Sequence, residues 1–157
     1  MLVRPVEPAD IETCVELGRL LHSESPHYCH LEYSEAKVSS LVEACITQPN
    51  FCGFVAEHDG EIVGMMAGVI SQHFFSSFSF ATDLTVFVKP ESRGSTAAIR
   101  LITAFCIWAE AMKCNEIRCG VSTGIKEEAS DRMYKKFGFV ERGTMYVKHI
   151  EAGKLVH

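Results

Sequence analysis

Apolar and polar positions alternate along this chain with two periods, and the switches between them mark its elements. Leu2–Val6 reads as a short strand, and Pro8-Ala9-Asp10 then reads as a helix start, with proline early and an acid in the first turn. Ile11, Val15, Gly18 and Leu21 follow at helical spacing. Residues 22–34, HSESPHYCHLEYS, are polar and aromatic and predict a loop. After Ser34 the stripe Val38, Leu41, Val42 and Cys45 predicts a second helix that ends near Pro49. Two strands, 52–57 and 61–71, flank His58-Asp59-Gly60, and Asp-Gly between apolar runs is a strong hairpin signal. Phe78, Phe80, Thr82, Leu84, Val86 and Val88 then alternate with Ser79, Ala81, Asp83, Thr85 and Phe87, which predicts a fourth, central strand. Ala98, Leu101, Ile102, Phe105, Ala109 and Met112 define a helix with one buried face. Glu116–Ser122 is a fifth strand, 126–137 a helix capped by Gly138, and Phe139–Ile150 supplies two further short strands or a hairpin around Gly143.

The order is strand, two helices, three strands, helix, strand, helix, strand or hairpin. It is neither strict βα alternation nor all-β. The fold class expected is α/β, a mixed sheet of about six to seven strands with helices on both faces. With no linker or repeat, the 157 residues read as a single domain, 1–157.

Composition narrows the function classes. Hydrophobic residues make up 47% and charged residues 22%, a globular composition. The net charge of −5 disfavours a nucleic-acid partner, which needs a basic stripe, and leans weakly toward a cationic substrate. Seven cysteines without repeating spacing, mostly inside apolar runs, suit a reducing, cytoplasmic compartment. The opening MLVRPVEPADIE lacks the apolar core of a signal peptide, and no run approaches the length of a membrane span, so no membrane partner is expected.

The stretch with most chemical content is VFVKPESRGSTAAIRLI, from Val86 to Ile102. It combines a strand, a tight loop and a helix opening in which Gly94, Ser95, Thr96, Ala97 and Ala98 are all small. Small residues let backbone N–H groups approach a ligand, and a helix N-terminus favours an anion, so the segment suits a phosphate. An ordinary capped strand-to-helix turn accounts for the same residues.

Taken together, four pieces resemble the GNAT superfamily of N-acetyltransferases over about residues 2–148. They are the opening VRPVEPAD, the hairpin FVAEHDGEIVGMMAG, the run Val88-Lys89-Pro90-Glu91-Ser92-Arg93-Gly94 with its V-x-P-x-x-R-G pattern, and Tyr134-Lys135-Lys136-Phe137-Gly138-Phe139 with its Y-x-K-x-G-F pattern. The chain departs from the family at Thr96, where a second glycine is usual, at Glu127 in place of a frequent Asn, and at Ser130 in place of Ala. A β-branched Thr96 restricts close approach, though its N–H remains available.

The resemblance implies acetyl transfer from acetyl-CoA to a primary amine by direct attack in a ternary complex. An alkylammonium with a pKa of roughly 10.4 must lose a proton before it attacks, the thioester oxygen needs an N–H donor, and the leaving thiolate needs a proton. Tyr134 is the candidate general acid, against a core aromatic as the plain alternative. Asp83, the one acid in the run Phe74–Val88 and opposite in phase to Leu84 and Val86, is the candidate base. A strand Asp bonded to a neighbouring N–H is its alternative, and a bulge would change its face. By the same resemblance Val86, Phe87 and Val88 pair with pantetheine, Arg93 to Ala98 hold the pyrophosphate, and Ser122 contacts the cofactor or caps the next helix. His27, Tyr28, His30 and Tyr33, between the first two helices, would line the amine site.

The cluster HSESPHYCH matches no common zinc spacing, so no metal is expected. The competing function is a GNAT-like module that binds CoA or a protein without catalysis. A homodimer is possible through edge strands near the C-terminus.

Overall fold

The computed structural model describes residues 1–150. Five strands form one sheet in the order β1-β2-β3-β4-β5: β1 Leu2–Pro5, β2 Phe51–His58, β3 Glu61–Gln72, β4 Ser79–Val88 and β5 Glu116–Arg118. The first four pair antiparallel and β5 joins β4 in parallel, so the sheet is mixed. Four helices complete the fold: α1 Ile11–Glu24, α2 Glu35–Thr47, α3 Ala97–Ala111 and α4 Glu127–Lys136.

Local chemistry explains the boundaries. Pro8 opens a short 3-10 turn in which the Asp10 carboxylate accepts the Glu7 N–H at 2.8 Å, and Arg4 clamps that carboxylate at 2.7 and 3.0 Å. Ser34 caps α2 by accepting the Lys37 N–H at 3.3 Å. Asp59 and Gly60 both have positive φ, 51° and 80°, which is the turn that a two-residue hairpin needs. Gly138, at φ 88°, follows the end of α4 as its cap.

Alternation along the strands separates two cores. Val55, Met65 and Phe87 face α1 and α2, against Cys14, Leu17 and Val42. Ala56, Met66 and Val88 face α3 and α4, against Leu101, Ile102, Phe105 and Tyr134. Phe105, Leu101 and Ile102 are fully buried, each a gain of roughly 1.5–3 kcal/mol over an exposed side chain. A Cβ on Gly68 would run into the Phe105 ring, so that glycine is what lets α3 sit against β3.

Two expectations are corrected. β5 stops at Arg118 rather than Ser122, and no strand follows it among the described residues, so the sheet has five strands rather than six or seven. An edge of three residues is short for a hairpin to pair with, and Val140, Met145, Tyr146, Val147 and Ile150 lie exposed. Among the described residues no helix is long and apolar enough to cross a membrane.

Candidate active site

β4 is paired on both sides only at its beginning. β5 matches it over Phe80–Thr82 and then leaves. Opposite, on β3, the register slips: Ala67 faces Thr85 and Gly68 faces Asp83, so Leu84 is an extra, half-exposed residue in β4. This bulge bends the strand and reverses its phase. Asp83 therefore shares a face with Val86 and Val88, not with Thr85 and Phe87 as uninterrupted alternation predicts. Its carboxylate accepts the Gly120 N–H at 3.0 Å, in place of a ladder carbonyl, and the two strands part there.

The parting opens a cleft of about 300 Å³. One wall is the free edge Val86, Phe87 and Val88 with Ser92, Arg93, Gly94, Ser95 and Ala98. The other is Thr123, Ile125 and Lys126 with Ala129, Ser130 and Met133 of α4, and Leu21 of α1 also lines it. An unpaired strand edge carries a row of main-chain donors and acceptors, which suits an extended ligand laid alongside as a further strand.

The loop into α3 leaves main-chain donors unpartnered. Gly94 has φ 86°, and a Cβ there would touch nothing, so conformation rather than crowding calls for glycine. The Ser95 hydroxyl accepts the Ala97 N–H at 3.2 Å, and the Gly94 and Thr96 N–H groups have no partner among the described residues. Thr96, at φ −80° and ψ 2°, holds near-helical backbone that a β-branched residue tolerates. Ala97 is fully buried in the α3 core, and its N–H is taken up by Ser95.

Arg93 is more committed than a loop cation. Its Nη atoms donate to both Glu24 oxygens at 2.5 and 2.6 Å, and its Nε donates to the Val88 carbonyl at 3.0 Å. Its guanidinium lies 5.5 Å from the Phe87 ring centre. These hydrogen bonds hold the Glu24 carboxyl below the usual range, with the Lys126 charge adding to the effect.

Tyr134 is buried with the half-buried Asp83 and Cys119 close to it, although neither Asp83 nor Tyr134 lines the cleft. Tyr134 packs edge-on to Phe139 at 5.5 Å between ring centres. Burial above all, with Asp83 and Cys119 close by, raises its phenol pKa, so the hydroxyl keeps its proton. Burial pushes Asp83 up to about 6, against the pull of the Gly120 N–H. Burial raises the Cys119 thiol as well, so it stays protonated.

The loop between α1 and α2 is clasped to the β5–α4 loop. Ser25 donates to the Thr123 carbonyl at 2.5 Å, His27 Nδ1 meets the Ser122 carbonyl at 2.9 Å, and the Tyr28 hydroxyl donates to Ser122 Oγ at 3.2 Å. Tyr33 turns to α1, donating to the Val15 carbonyl at 2.6 Å. His30 is exposed and lies 5.9 Å from the His149 ring. Glu127, the first residue of α4, accepts the Gly124 N–H at 2.9 Å and so closes the turn that leads into the helix. All seven cysteines are free, and no group of metal-binding residues occurs among the described residues.

Sequence reasoning missed Leu21, Glu24, Ile125, Lys126, Ala129 and Met133. Their places depend on how the second wall folds back, and only Gly124 beside a helix start hints at a site there.

Residues 16–139 match the model of the Acetyltransferase (GNAT) family. The chain is 26% identical over 155 residues to the spore coat polysaccharide biosynthesis protein SpsD of Bacillus subtilis (strain 168), covering 96% of this chain and 50% of that protein. It thus spans half the length of that curated relative. Among solved structures it resembles AAC(6')-Iy in complex with the bisubstrate analogue CoA-S-monomethyl-acetylneamine, at TM-score 0.71 and 23% identity over 95% of this chain and 98% of that one. It also resembles the apo aminoglycoside antibiotic 6'-N-acetyltransferase AAC(6')-IG of Acinetobacter haemolyticus, at TM-score 0.71 and 20% identity over 96% and 100% of the two chains.

Proposed function

Because the chain belongs to the acetyltransferase (GNAT) family, we propose that it transfers an acetyl group from acetyl-CoA to a primary amine within a ternary complex. The observation that carries the reading is the unpaired edge of β4, which lines one cleft together with residues of the small-residue loop Gly94–Ala98. That cleft suits the donor: an extended thiol arm along Val86–Val88, and phosphates at the unpartnered N–H groups of Gly94 and Thr96. The cosubstrate supplies an activated thioester carbon. The amine nitrogen bonds to that carbon, the C–S bond breaks, and the sulfur leaves as a thiolate.

Asp83 is the proposed base. A carboxyl pKa of about 6 leaves it ionised at neutral pH while bringing it closer to the amine it must deprotonate. Tyr134 is the proposed donor of a proton to the sulfur: its phenol holds a proton over the working pH range, and the same burial makes it a weaker acid than a free phenol. Both stand off the lining of the cleft, Tyr134 next to Met133, which does line it. This position also favours a second reading, a CoA-binding module without turnover.

Titration calorimetry with acetyl-CoA and then CoA tests the donor site, followed by a panel of primary amines. Saturable micromolar binding with turnover of any amine supports the enzyme. Binding with no turnover across the panel supports the module, and no binding of either ligand overturns both. The neighbour named as an aminoglycoside 6'-N-acetyltransferase makes polyamino sugars a sensible first group in the panel.

A further inference from the structure

Two cationic side chains line the cleft, Arg93 and Lys126, and their situations are opposite. The Arg93 guanidinium is occupied on three nitrogens, by the two Glu24 oxygens and the Val88 carbonyl, and the ion pair with Glu24 carries no net charge. An anion reaching this wall would have to displace a bidentate carboxylate, the geometry in which arginine binds most firmly. Lys126 is exposed and forms no ion pair within 4.0 Å among the described residues. It faces the loop from the opposite wall, near enough to Glu24 that its charge helps hold that carboxyl ionised. Its backbone is left-handed, φ 45° and ψ 45°, a conformation lysine seldom adopts. The turn holds it there: Glu127 accepts the Gly124 N–H, and the Lys126 carbonyl accepts the N–H groups of Ala129 and Ser130 at 3.0 and 3.2 Å.

We propose that Lys126 is the side chain that binds the cosubstrate's phosphates, and that Arg93 is a positioning residue which ties the loop to α1 through Glu24. The inference rests on the acetyl-CoA reading of the cleft. It divides the phosphate site between two walls: unpartnered N–H groups of Gly94 and Thr96 on one, a free ammonium on the other. It also reverses the sequence-based expectation that the loop arginine meets the pyrophosphate. Glu127 and Glu128 follow Lys126, but the Glu127 carboxylate is held by Gly124. A phosphate would also have Glu24 near it, a charge that the Arg93 pair offsets.

The test is calorimetry of wild type, Lys126→Gln and Lys126→Arg with CoA, dephospho-CoA and pantetheine at low salt. The glutamine variant should bind CoA about tenfold more weakly, the loss of one charge-assisted contact to phosphate. Its affinity for pantetheine, which has no phosphate, should match wild type, and the arginine variant should recover most of the CoA affinity. A loss confined to CoA assigns Lys126 to the 3'-phosphate, and a loss shared with dephospho-CoA assigns it to the pyrophosphate. Either supports the proposal. Unchanged CoA affinity in Lys126→Gln, or an equal loss for pantetheine, overturns it. If wild type itself binds no CoA, the acetyl-CoA reading fails first.

Discussion

The two halves of β4 show how one strand serves two purposes. Phe80, Ala81 and Thr82 have a neighbour on each side, β3 and β5, and Ala81 is fully buried. Val86, Phe87 and Val88 have only β3, and their other edge faces the cleft. Between them sit Asp83 and the extra residue Leu84. The closed half is specified by packing, where each side chain has a volume to fill. The open half is specified by main chain, where what matters is which N–H and C=O groups remain unpaired. Substitutions should therefore damage folding on one side of the bulge and ligand binding on the other.

The largest effect is expected on the closed side. Gly68 stands opposite Asp83, and any Cβ there meets the Phe105 ring, which is itself fully buried. Gly68→Val should cost about 3 kcal/mol, the upper end of the usual range for overpacking a core. Thermal unfolding followed by circular dichroism measures it. A melting temperature within a few degrees of wild type would mean that α3 can shift away from the sheet.

Next in size is Tyr134→Phe, which removes one oxygen from a buried ring and leaves its packing on Phe139. Turnover should fall about a hundredfold, the scale of a lost general acid, with acetyl-CoA affinity nearly unchanged. Equal turnover would make Tyr134 a core aromatic of the closed side. On the open side, Gly94→Ala should change stability by about 1 kcal/mol, the cost of a side chain at φ 86°, since nothing crowds the site. The N–H groups of the loop should lose their alignment, with CoA affinity falling several-fold by calorimetry. If affinity holds while stability falls, the loop is a turn and nothing more.

How far these halves could be read in advance follows from the kind of physics each uses. The elements came through well, because periodicity, Asp59-Gly60, Ser34 and Gly138 are local signals and the structure uses each of them locally. The loop Gly94–Ala98 was visible for the same reason. The bulge was not: Phe78 to Val88 alternates without a break, and only pairing with Ala67 and Gly68 shows that Leu84 is extra. Glu24 and Arg93 lie far apart in sequence, so nothing local indicates that the arginine is already partnered. Ser122 likewise reads as a cofactor contact or a cap, whereas its partners His27 and Tyr28 come from a loop near the other end of the chain. The second wall of the cleft is made by such long-range contacts, and the sequence carries almost no trace of it.

The smallest expected effect, and the one that sits on the boundary itself, belongs to Asp83→Asn. The folded-state pKa of Asp83, about 6, lies above its ordinary value of 3.8, so the native state holds this proton more tightly than the unfolded chain does. Its contribution to stability is then fully present below about pH 4, is lost as pH rises toward 6, and is constant above that. Asparagine has no proton to lose. The stability of the variant relative to wild type should therefore climb between pH 4 and 6 and level off, a difference in which the other titrating carboxyls largely cancel. Amide oxygen keeps the Gly120 N–H satisfied, so the strands still part at the same place. If Asp83 is also the base, wild-type kcat/KM should rise with pH through about 6 and the variant should lack that limb. A stability difference with an unchanged rate profile would leave Asp83 as the wedge between β4 and β5. A flat stability difference would mean that its carboxyl is not buried by the sheet at all.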